Sequence, residues 1–381
     1  MKKIIRITTV PISLRTLLKG QLKFMSQHYE IVGITSSGKE INDIINDEGI
    51  RVIEVDLSRS ITPLKDLKSL YKVYKVLMRE KPYIVHSHTP KAGTIGMLAA
   101  KFAGVPHRLH TIAGLPLLEA TGAKRTLLDI VEKITYSCAT MIYPNSKGLR
   151  DIIIDNRYTK PSKIKVIANG SSNGIDVNYF SIEQLKKTNL IELKKELLIE
   201  KDDFVFIFVG RLVTDKGINE LIHCFQKIES NKVKLLLVGT FEDELDPLKK
   251  ETRKEIETNQ NIIAVGWKND VRPYFGISNA LVFPSYREGF PNVVLQAGAL
   301  GLPSIVTDIN GCNEIIENRK NGLVIQPKDS DELLDAMKLM LSDKIITQKM
   351  AAASREIICS NYKREVIWEA LLKEYNSLES E

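Results

Sequence analysis

Cysteine is scarce in this sequence, and the four residues present, Cys138, Cys224, Cys312 and Cys359, are scattered without the close pairs that zinc or redox motifs use. The spacing therefore gives neither a disulfide framework nor a Cys-based metal site, and it fits a reducing cytoplasm. Long apolar runs are missing as well: no segment reaches the roughly 18 to 20 uninterrupted apolar residues of a membrane span, so any bilayer contact is expected to be peripheral. Residues 1–14 fall short of a secretion signal, because Arg6 and Pro11 interrupt the run and no small-residue cleavage site follows; they read as a buried strand. No low-complexity tract or short solenoid repeat is present. Aromatic side chains, 7% of the chain, do not interleave with the cations as stacking platforms, which argues against a nucleic-acid partner. There is no convincing Asp-x-Asp pattern, and the acidic cluster Glu242-Asp-Glu-Leu-Asp246 reads as a solvated helix start, so neither a metal nor any other cofactor is expected.

What is present is an ordinary globular composition, 43% apolar and 27% charged, on a chain of 381 residues. That length exceeds what one growing hydrophobic core serves, and two domains are the default. The formal charge of +7 divides unevenly: residues 1–180 carry 27 Lys plus Arg against 15 Asp plus Glu, a balance of +12, which leaves −5 for the remainder. A basic half joined to an acidic half points to an anionic surface facing the first domain, or to solvated lysine-rich helix faces.

Short Val/Ile-rich runs at 4–10, 31–35, 51–55, 83–86, 108–111 and 141–143 alternate with helical patterns, as in a parallel sheet covered on both faces. The turn-rich loop Asn169-Gly-Ser-Ser-Asn-Gly174 and a lysine-rich segment follow. A second series then runs through 204–209, 233–238, 262–265, 280–283, 304–307 and 323–325. The expected architecture is α/β: a Rossmann-like doubly wound domain over 1–180, a second over 181–360, and a helix at 361–381 returning to the first. Such domains present the carboxyl ends of their strands to ligands across a cleft. The helical pattern 64–79 places Leu64, Leu67, Leu70, Tyr71, Tyr74, Leu77 and Met78 opposite lysines, and it reads first as an amphipathic helix packed on the sheet, with a membrane-surface helix as the alternative.

Two segments of the second half carry chemistry. Gly210-Arg211 closes a strand, and Asp215-Lys216-Gly217 then opens a helix; Gly210 allows close backbone approach, while Arg211 and Lys216 put two cations beside a helix N-terminus, suited to a diphosphate. The second segment is Phe283-Pro-Ser-Tyr-Arg-Glu288-Gly289-Phe290-Pro291-Asn292-Val293-Val-Leu-Gln296, continuing to Pro303. Gly289 frees the turn, Pro291 suits the first turn of a helix, and the amides of Phe290 and Asn292 to Val294 can face a phosphate or sugar. Glu288 and Gln296, eight apart, reach a hexose and a ribose.

At these residues the chain resembles the family 4 retaining glycosyltransferases of the GT-B fold, over nearly its whole length. The resemblance implies that Arg211 and Lys216 bind the donor diphosphate and that a Glu-x7-Glu motif binds the donor sugar and ribose. Glu288 matches the first glutamate; Gln296 replaces the second and supplies no negative charge, which weakens the implied ribose contact. By the same resemblance Trp267 and Lys268 lie near the base and Gly239 near the donor, so that Glu288, Arg211 and Lys216 form the catalytic set.

In the first half, Val85-His86-Ser-His88-Thr-Pro90-Lys91-Ala-Gly93 follows a strand. His86 and His88 are expected on opposite faces, without a shared metal. Runs of this kind are similar to those of enzymes that build capsular or lipid-linked polysaccharides. The resemblance extends to Pro11, Ser13 and Gly20, and with His88, Lys91, Ala113 and Gly114 these form the implied acceptor side. Ala113 stands where many relatives carry a histidine, and His110 reads as structural. The leucine-rich segment from Gly114 through Lys124 and Arg125 is expected to rest on a bilayer and admit a polyprenyl diphosphate. The implied reaction is metal-independent transfer from a nucleotide diphosphate sugar, UDP by resemblance, to a polyprenyl-diphosphate-linked sugar at the inner face of the cytoplasmic membrane. A nucleotide-sugar epimerase and a catalytically silent binding subunit remain as alternatives, the latter motivated by Gln296 and Ala113.

Overall fold

The computed structural model describes every residue except 59–61, 116, 118, 119, 245, 380 and 381, together with all side chains of the remainder but that of Thr188. The expected bilayer segment therefore lies in part outside the described residues, at Pro116, Leu118 and Glu119. Two compact units are formed, Met1–Gly174 with Arg364–Glu381, and Ile175–Lys363. The first closes at Gly174 rather than at 180, because Ile175 already pairs with the second unit: its amide donates to the Tyr362 carbonyl at 2.8 Å, and it bridges to Lys363.

The strands of the first unit are β1 (Lys3–Ile7), β2 (Glu30–Thr35), β3 (Arg51–Glu54), β4 (Ile84–Ser87), β5 (His107–Ile112) and β6 (Met141–Pro144). Those of the second are β7 (Phe204–Val209), β8 (Val233–Val238), β9 (Ile262–Gly266), β10 (Ala280–Phe283), β11 (Ser304–Thr307) and β12 (Gly322–Ile325). All pair in parallel, in the orders β3-β2-β1-β4-β5-β6 and β12-β11-β10-β7-β8-β9. Counted from each unit's own first strand, both sheets read 3-2-1-4-5-6, the doubly wound order whose direction reverses once. The reversal falls between β1 and β4 in the first unit and between β7 and β10 in the second, and loops leaving the two strands there diverge to open a crevice.

Near-continuous Val/Ile/Leu/Phe composition buries the central strands on both faces, whereas the edge strands β3 and β9 are partly exposed. Ile4, Ile5 and Ile7 of β1 and Val205 through Phe208 of β7 have no exposed area. At about 1.5–3 kcal/mol for each fully buried large apolar side chain, the central strands are the most firmly fixed parts of each unit. The first strand is shorter than expected, since Pro11 starts the helix Pro11–Leu17 and takes the chain out of the sheet. The helix Arg364–Ser377 packs in the first unit, its Leu371 and Tyr375 joining Ile4, Leu18 and Leu22 in one cluster.

The helix Pro63–Glu80 departs from expectation. Only Ser69, Val73 and Leu77 are buried, while Leu64, Leu67, Tyr71 and Met78 remain exposed, Leu64 to 87% and Leu67 to 63%. The apolar stripe is wider than the contact it makes, so half of it faces solvent.

Candidate active site

In the second unit, three neighbouring strands end in glycine. Gly210 and Gly239 adopt φ of +154° and +152°, values that L side chains rarely reach. A Cβ on Gly239 would stand 1.8 Å from the Gly210 carbonyl oxygen, so only glycine lets the ends of β7 and β8 approach this closely. The Gly210 amide donates to Val238 O at 2.9 Å and the Gly239 amide to Gly266 O at 3.0 Å, giving a floor of backbone at the carboxyl edge.

Lys216 ends the short turn Thr214–Lys216 after β7, and Glu288 lies on the loop after β10. These are the two strands that flank the reversal. Lys216 Nζ reaches Glu288 Oε1 at 2.6 Å and Ser285 Oγ at 3.5 Å, with only 15% and 16% of the Lys216 and Glu288 side chains exposed. The loops around the pair are tied together. The Tyr286 amide donates to Asp215 O at 2.9 Å, Arg287 Nη2 pairs with Asp215 Oδ2 at 2.8 Å, and the Asn310 amide group donates to the Glu288 carbonyl. Gly217, at φ +71°, begins the helix Ile218–Gln226, and a Cβ there would lie 2.1 Å from Pro284 O.

Arg211, 45% exposed at its side chain, pairs with Glu242 Oε2 at 2.7 Å. The acidic cluster is not a helix start: the helix begins at Lys250, and the cluster is a loop whose Asp246 Oδ2 accepts the Asp215 amide at 2.7 Å. Leu245 lies outside the described residues. Glu242 and Asp246 are held to the loop of Arg211 and Asp215, while Asp243 and Glu244 face solvent. Sequence reasoning missed this role, as it missed Asp215, Ser285 and Asn310, since none belongs to a local pattern.

The helix after Glu288 runs Asn292–Ala299, so Pro291 is its N-cap rather than a first-turn residue. Asn292 and Val293 present the first amides of the helix, whereas the Val294 amide is taken by Pro291 O at 3.1 Å. Phe290 contributes no exposed ring; it is buried against Tyr362 at 5.5 Å between centroids. Val294, Leu295, Ala297 and Gly298 are buried, leaving Asn292, Val293 and Gln296 as the stripe that faces outward. Trp267 is 65% exposed and Lys268 Nζ lies 5.7 Å from the Tyr274 ring.

The first-unit positions are dispersed in role. Pro11 is buried at the start of its helix, and Ser13 lies in its first turn, the amide bonded to Val10 O at 3.0 Å. Gly20, at φ +78°, donates its amide to Glu48 Oε1 at 2.6 Å. Lys91 is tied to Asp66 of the helix Pro63–Glu80. Ala113 is exposed with its carbonyl accepting from Asn145 at 3.4 Å, and Gly114 borders open space. The two histidines are not on opposite faces: their rings lie 4.3 Å apart, because residues two apart along an extended segment share a face. Three of their four nitrogens are engaged, His88 Nε2 with Arg6 and the two of His86 with Tyr375 and Thr111. His110 is buried beside Gly93, hydrogen-bonded to Ser87 Oγ at 2.9 Å, and burial lowers its pKa to about 4. Among the described residues no three His, Cys, Asp or Glu side chains gather as a metal site would need.

Two doubly wound units, with an ion pair seated over the reversal of the second, define a ligand-binding α/β protein, and comparison with known proteins gives its family. Residues 191–357 match the model "Glycosyl transferases group 1", and residues 14–146 match "Glycosyl transferase 4-like". A capsular polysaccharide biosynthesis glycosyltransferase, CapM of Staphylococcus aureus, is 34% identical over 99% of this chain and 97% of its own. An Escherichia coli UDP-Gal:alpha-D-GlcNAc-diphosphoundecaprenol alpha-1,3-galactosyltransferase is 30% identical over 90% and 89%. The chain belongs to the group 1 glycosyltransferases of the family 4 type, and is thus an enzyme of the transferase class. Its fold is shared with Anabaena Alr3699/HepE, solved with UDP (TM-score 0.80, 17% identity, covering 99% of this chain and 100% of that one). Sucrose-phosphate synthase from Thermosynechococcus elongatus superposes equally well (TM-score 0.81, 19% identity, covering 100% of each). The fold class is GT-B.

Proposed function

We propose that the chain is a retaining, metal-independent glycosyltransferase. It moves a hexose or N-acetylhexosamine from a nucleotide diphosphate sugar, with UDP as carrier, to a polyprenyl-diphosphate-linked sugar during assembly of a capsule or another surface glycan. The observation that carries this reading is the Lys216–Glu288 pair, set on the loops that follow β7 and β10, where the sheet order reverses. The relatives' names support the acceptor class, and the UDP in the Anabaena structure supports the carrier.

In the free protein Lys216 is neutralised by Glu288 and Arg211 by Glu242. An arriving diphosphate draws the two cations to itself and leaves Glu288 to accept hydroxyls of the donor sugar. As the bond from the anomeric carbon to the phosphate oxygen breaks, charge builds on the diphosphate while the carbon gains oxocarbenium character. Lys216, Arg211 and the first amides of the helix Asn292–Ala299 stabilise that charge more in the transition state than in the ground state. With charge neutralised in this way, no metal is required. The acceptor hydroxyl attacks from the leaving-group face, its proton passes to the departing phosphate, and the configuration is retained. No protein nucleophile is assigned.

The proposed location is the inner face of the cytoplasmic membrane, held peripherally. No helix among the described residues is long and apolar enough to cross a membrane. Leu64, Leu67 and Tyr71 are exposed beside the exposed Lys65, Lys68 and Lys75, and Leu127 and Ile130 beside Lys124 and Lys133, a pairing of apolar and cationic groups that suits an anionic surface. The decisive assay follows release of UDP from UDP-sugars with a prenyl-diphosphate-linked N-acetylhexosamine added. Acceptor-dependent release that survives EDTA, with the donor's anomeric configuration kept in the product, is the expected result. Release that ignores the acceptor, or an inverted product, overturns it.

A further inference from the structure

Arg6 lies on β1 with no exposed area, and its nitrogens are committed to neutral partners. Nε donates to His88 Nε2 at 2.9 Å, Nη1 to Tyr375 Oη at 3.1 Å and Nη2 to Gln21 Oε1 at 2.5 Å. A guanidinium only donates, so each of these bonds has a fixed direction. His88 must offer Arg6 an unprotonated Nε2, which places its proton on Nδ1. Tyr375 Oη, which accepts from Arg6, also lies 2.6 Å from His86 Nδ1, and His86 Nε2 lies 2.7 Å from Thr111 Oγ1. One buried cation thus sets the tautomer of His88. Burial, reinforced by Arg6, holds both histidines well below their ordinary pKa, so neither leaves its tautomer by protonation near neutral pH.

His88 Nδ1 is buried and has no partner within the protein, and the same is true of Asn145 Oδ1. The Asn145 amide is oriented by its nitrogen donating to Ala113 O at 3.4 Å, so its oxygen is the group left over. Both residues line one cavity of about 20 Å³, together with Gln21, Thr111 and Ser171. A water needs roughly 10–15 Å³ on this measure, so the space takes one oxygen and is too small for a phosphate or a sugar ring. It sits beyond the carboxyl ends of β4, β5 and β6, the edge at which doubly wound sheets hold ligands. A buried donor and a buried acceptor left unpaired are each costly, and one guest that both accepts and donates satisfies the two.

We propose that this cavity is a subsite for a single hydroxyl oxygen, which accepts from His88 Nδ1 and donates to Asn145 Oδ1, with Arg6 as the positioning residue that fixes the tautomer of His88. The oxygen is a water in the free protein or a hydroxyl of the acceptor sugar; only the second source rests on the acceptor class proposed above.

Imidazole 15N NMR on the full chain, with His88 assigned by substitution, is expected to show a neutral ring protonated at Nδ1. A high-resolution crystal structure is expected to show one oxygen within hydrogen-bond distance of both atoms. A ring protonated at Nε2, or a dry cavity, overturns the subsite. Kinetics separate the sources. His88→Asn returns an N–H donor near the position of Nδ1, whereas His88→Gln returns only an acceptor toward Arg6; the acceptor KM is expected to rise about tenfold more in the Gln variant, with the donor KM unmoved. The probe is prenyl-diphosphate N-acetylglucosamine and analogues that each lack one ring hydroxyl. If one deoxy analogue loses nothing further in His88→Gln, that hydroxyl is the guest; if all losses add, the guest is water and the sugar source is overturned. Should no probe turn over, the acceptor class has failed, while the spectrum and the density still decide the subsite. Arg6→Lys completes the set: partial retention of the Nδ1–H signal is expected, and an unchanged spectrum in Arg6→Met overturns the positioning role.

Discussion

Lys216 and Glu288 neutralise each other with little solvent between them and the rest of the loop cluster, so removing either leaves a half-buried charge behind. Glu288→Gln is therefore expected to lower stability by roughly 1–3 kcal/mol, between the limits for exposed and fully buried pairs, readable by urea denaturation. Lys216→Met is expected to cut kcat by about 10²- to 10³-fold, as loss of a group that meets developing charge does elsewhere. Near-normal turnover in that variant would remove Lys216 from the mechanism. Arg211→Ala is a milder case. Its side chain is 45% exposed, and its pairing with Glu242 is expected to matter for donor KM more than for folding, because exposed pairs contribute little to stability.

At the scale of elements, the glycine-ended strands make a sharper prediction. Gly239→Ala combines a φ of +152° with a Cβ placed 1.8 Å from a backbone oxygen that cannot swing aside. A loss of about 2 kcal/mol or more is expected, with a lowered Tm and weaker UDP binding by calorimetry. Strand positions were legible in the sequence because buried parallel strands are written as unbroken Val/Ile/Leu runs, and β7, β8, β10 and β11 fall at the expected residues. The Lys216 and Glu288 loops were legible because glycine and proline mark the turns. Other features were hidden for physical reasons. Asp246 and Asn310 act through partners tens of residues away, which no local spacing encodes. The face of His88 was misjudged by treating a two-residue step as a change of side. The breadth of the apolar stripe on the helix Pro63–Glu80 was plain, but whether anything covers it depends on neighbours, and there only Ser69, Val73 and Leu77 are covered.

For the molecule as a whole, the histidines predict a lopsided response to acid. His86, His88 and His110 are buried neutral in the first unit, with His110 lowered to about 4 from an ordinary 6.5. Between those values the unfolded chain binds protons that the folded one refuses. The stabilisation is therefore complete above about pH 6.5 and is lost as pH falls toward 4, by on the order of 3 kcal/mol for His110 alone. Urea titrations at pH 7.5 and 4.5 are expected to show the first unit destabilised more than the second, which contains only His223. Flotation with anionic vesicles, absent with zwitterionic ones and weakened by Leu64→Glu with Leu67→Glu, is the outcome expected of the basic unit's apolar face.

The second unit is one uninterrupted stretch of chain, and its two ends are paired to each other, Ile175 to Tyr362 and Lys363. Everything assigned to the donor, from Gly210 to Gln296, lies inside that stretch. Under the proposed donor assignment, the sugar-nucleotide preference is carried on a cassette with two splice points, one at Gly174–Ile175 and one at Lys363–Arg364. A relative's cassette grafted between those points is then expected to exchange the donor while leaving the chain that holds Arg6 and His88 unaltered.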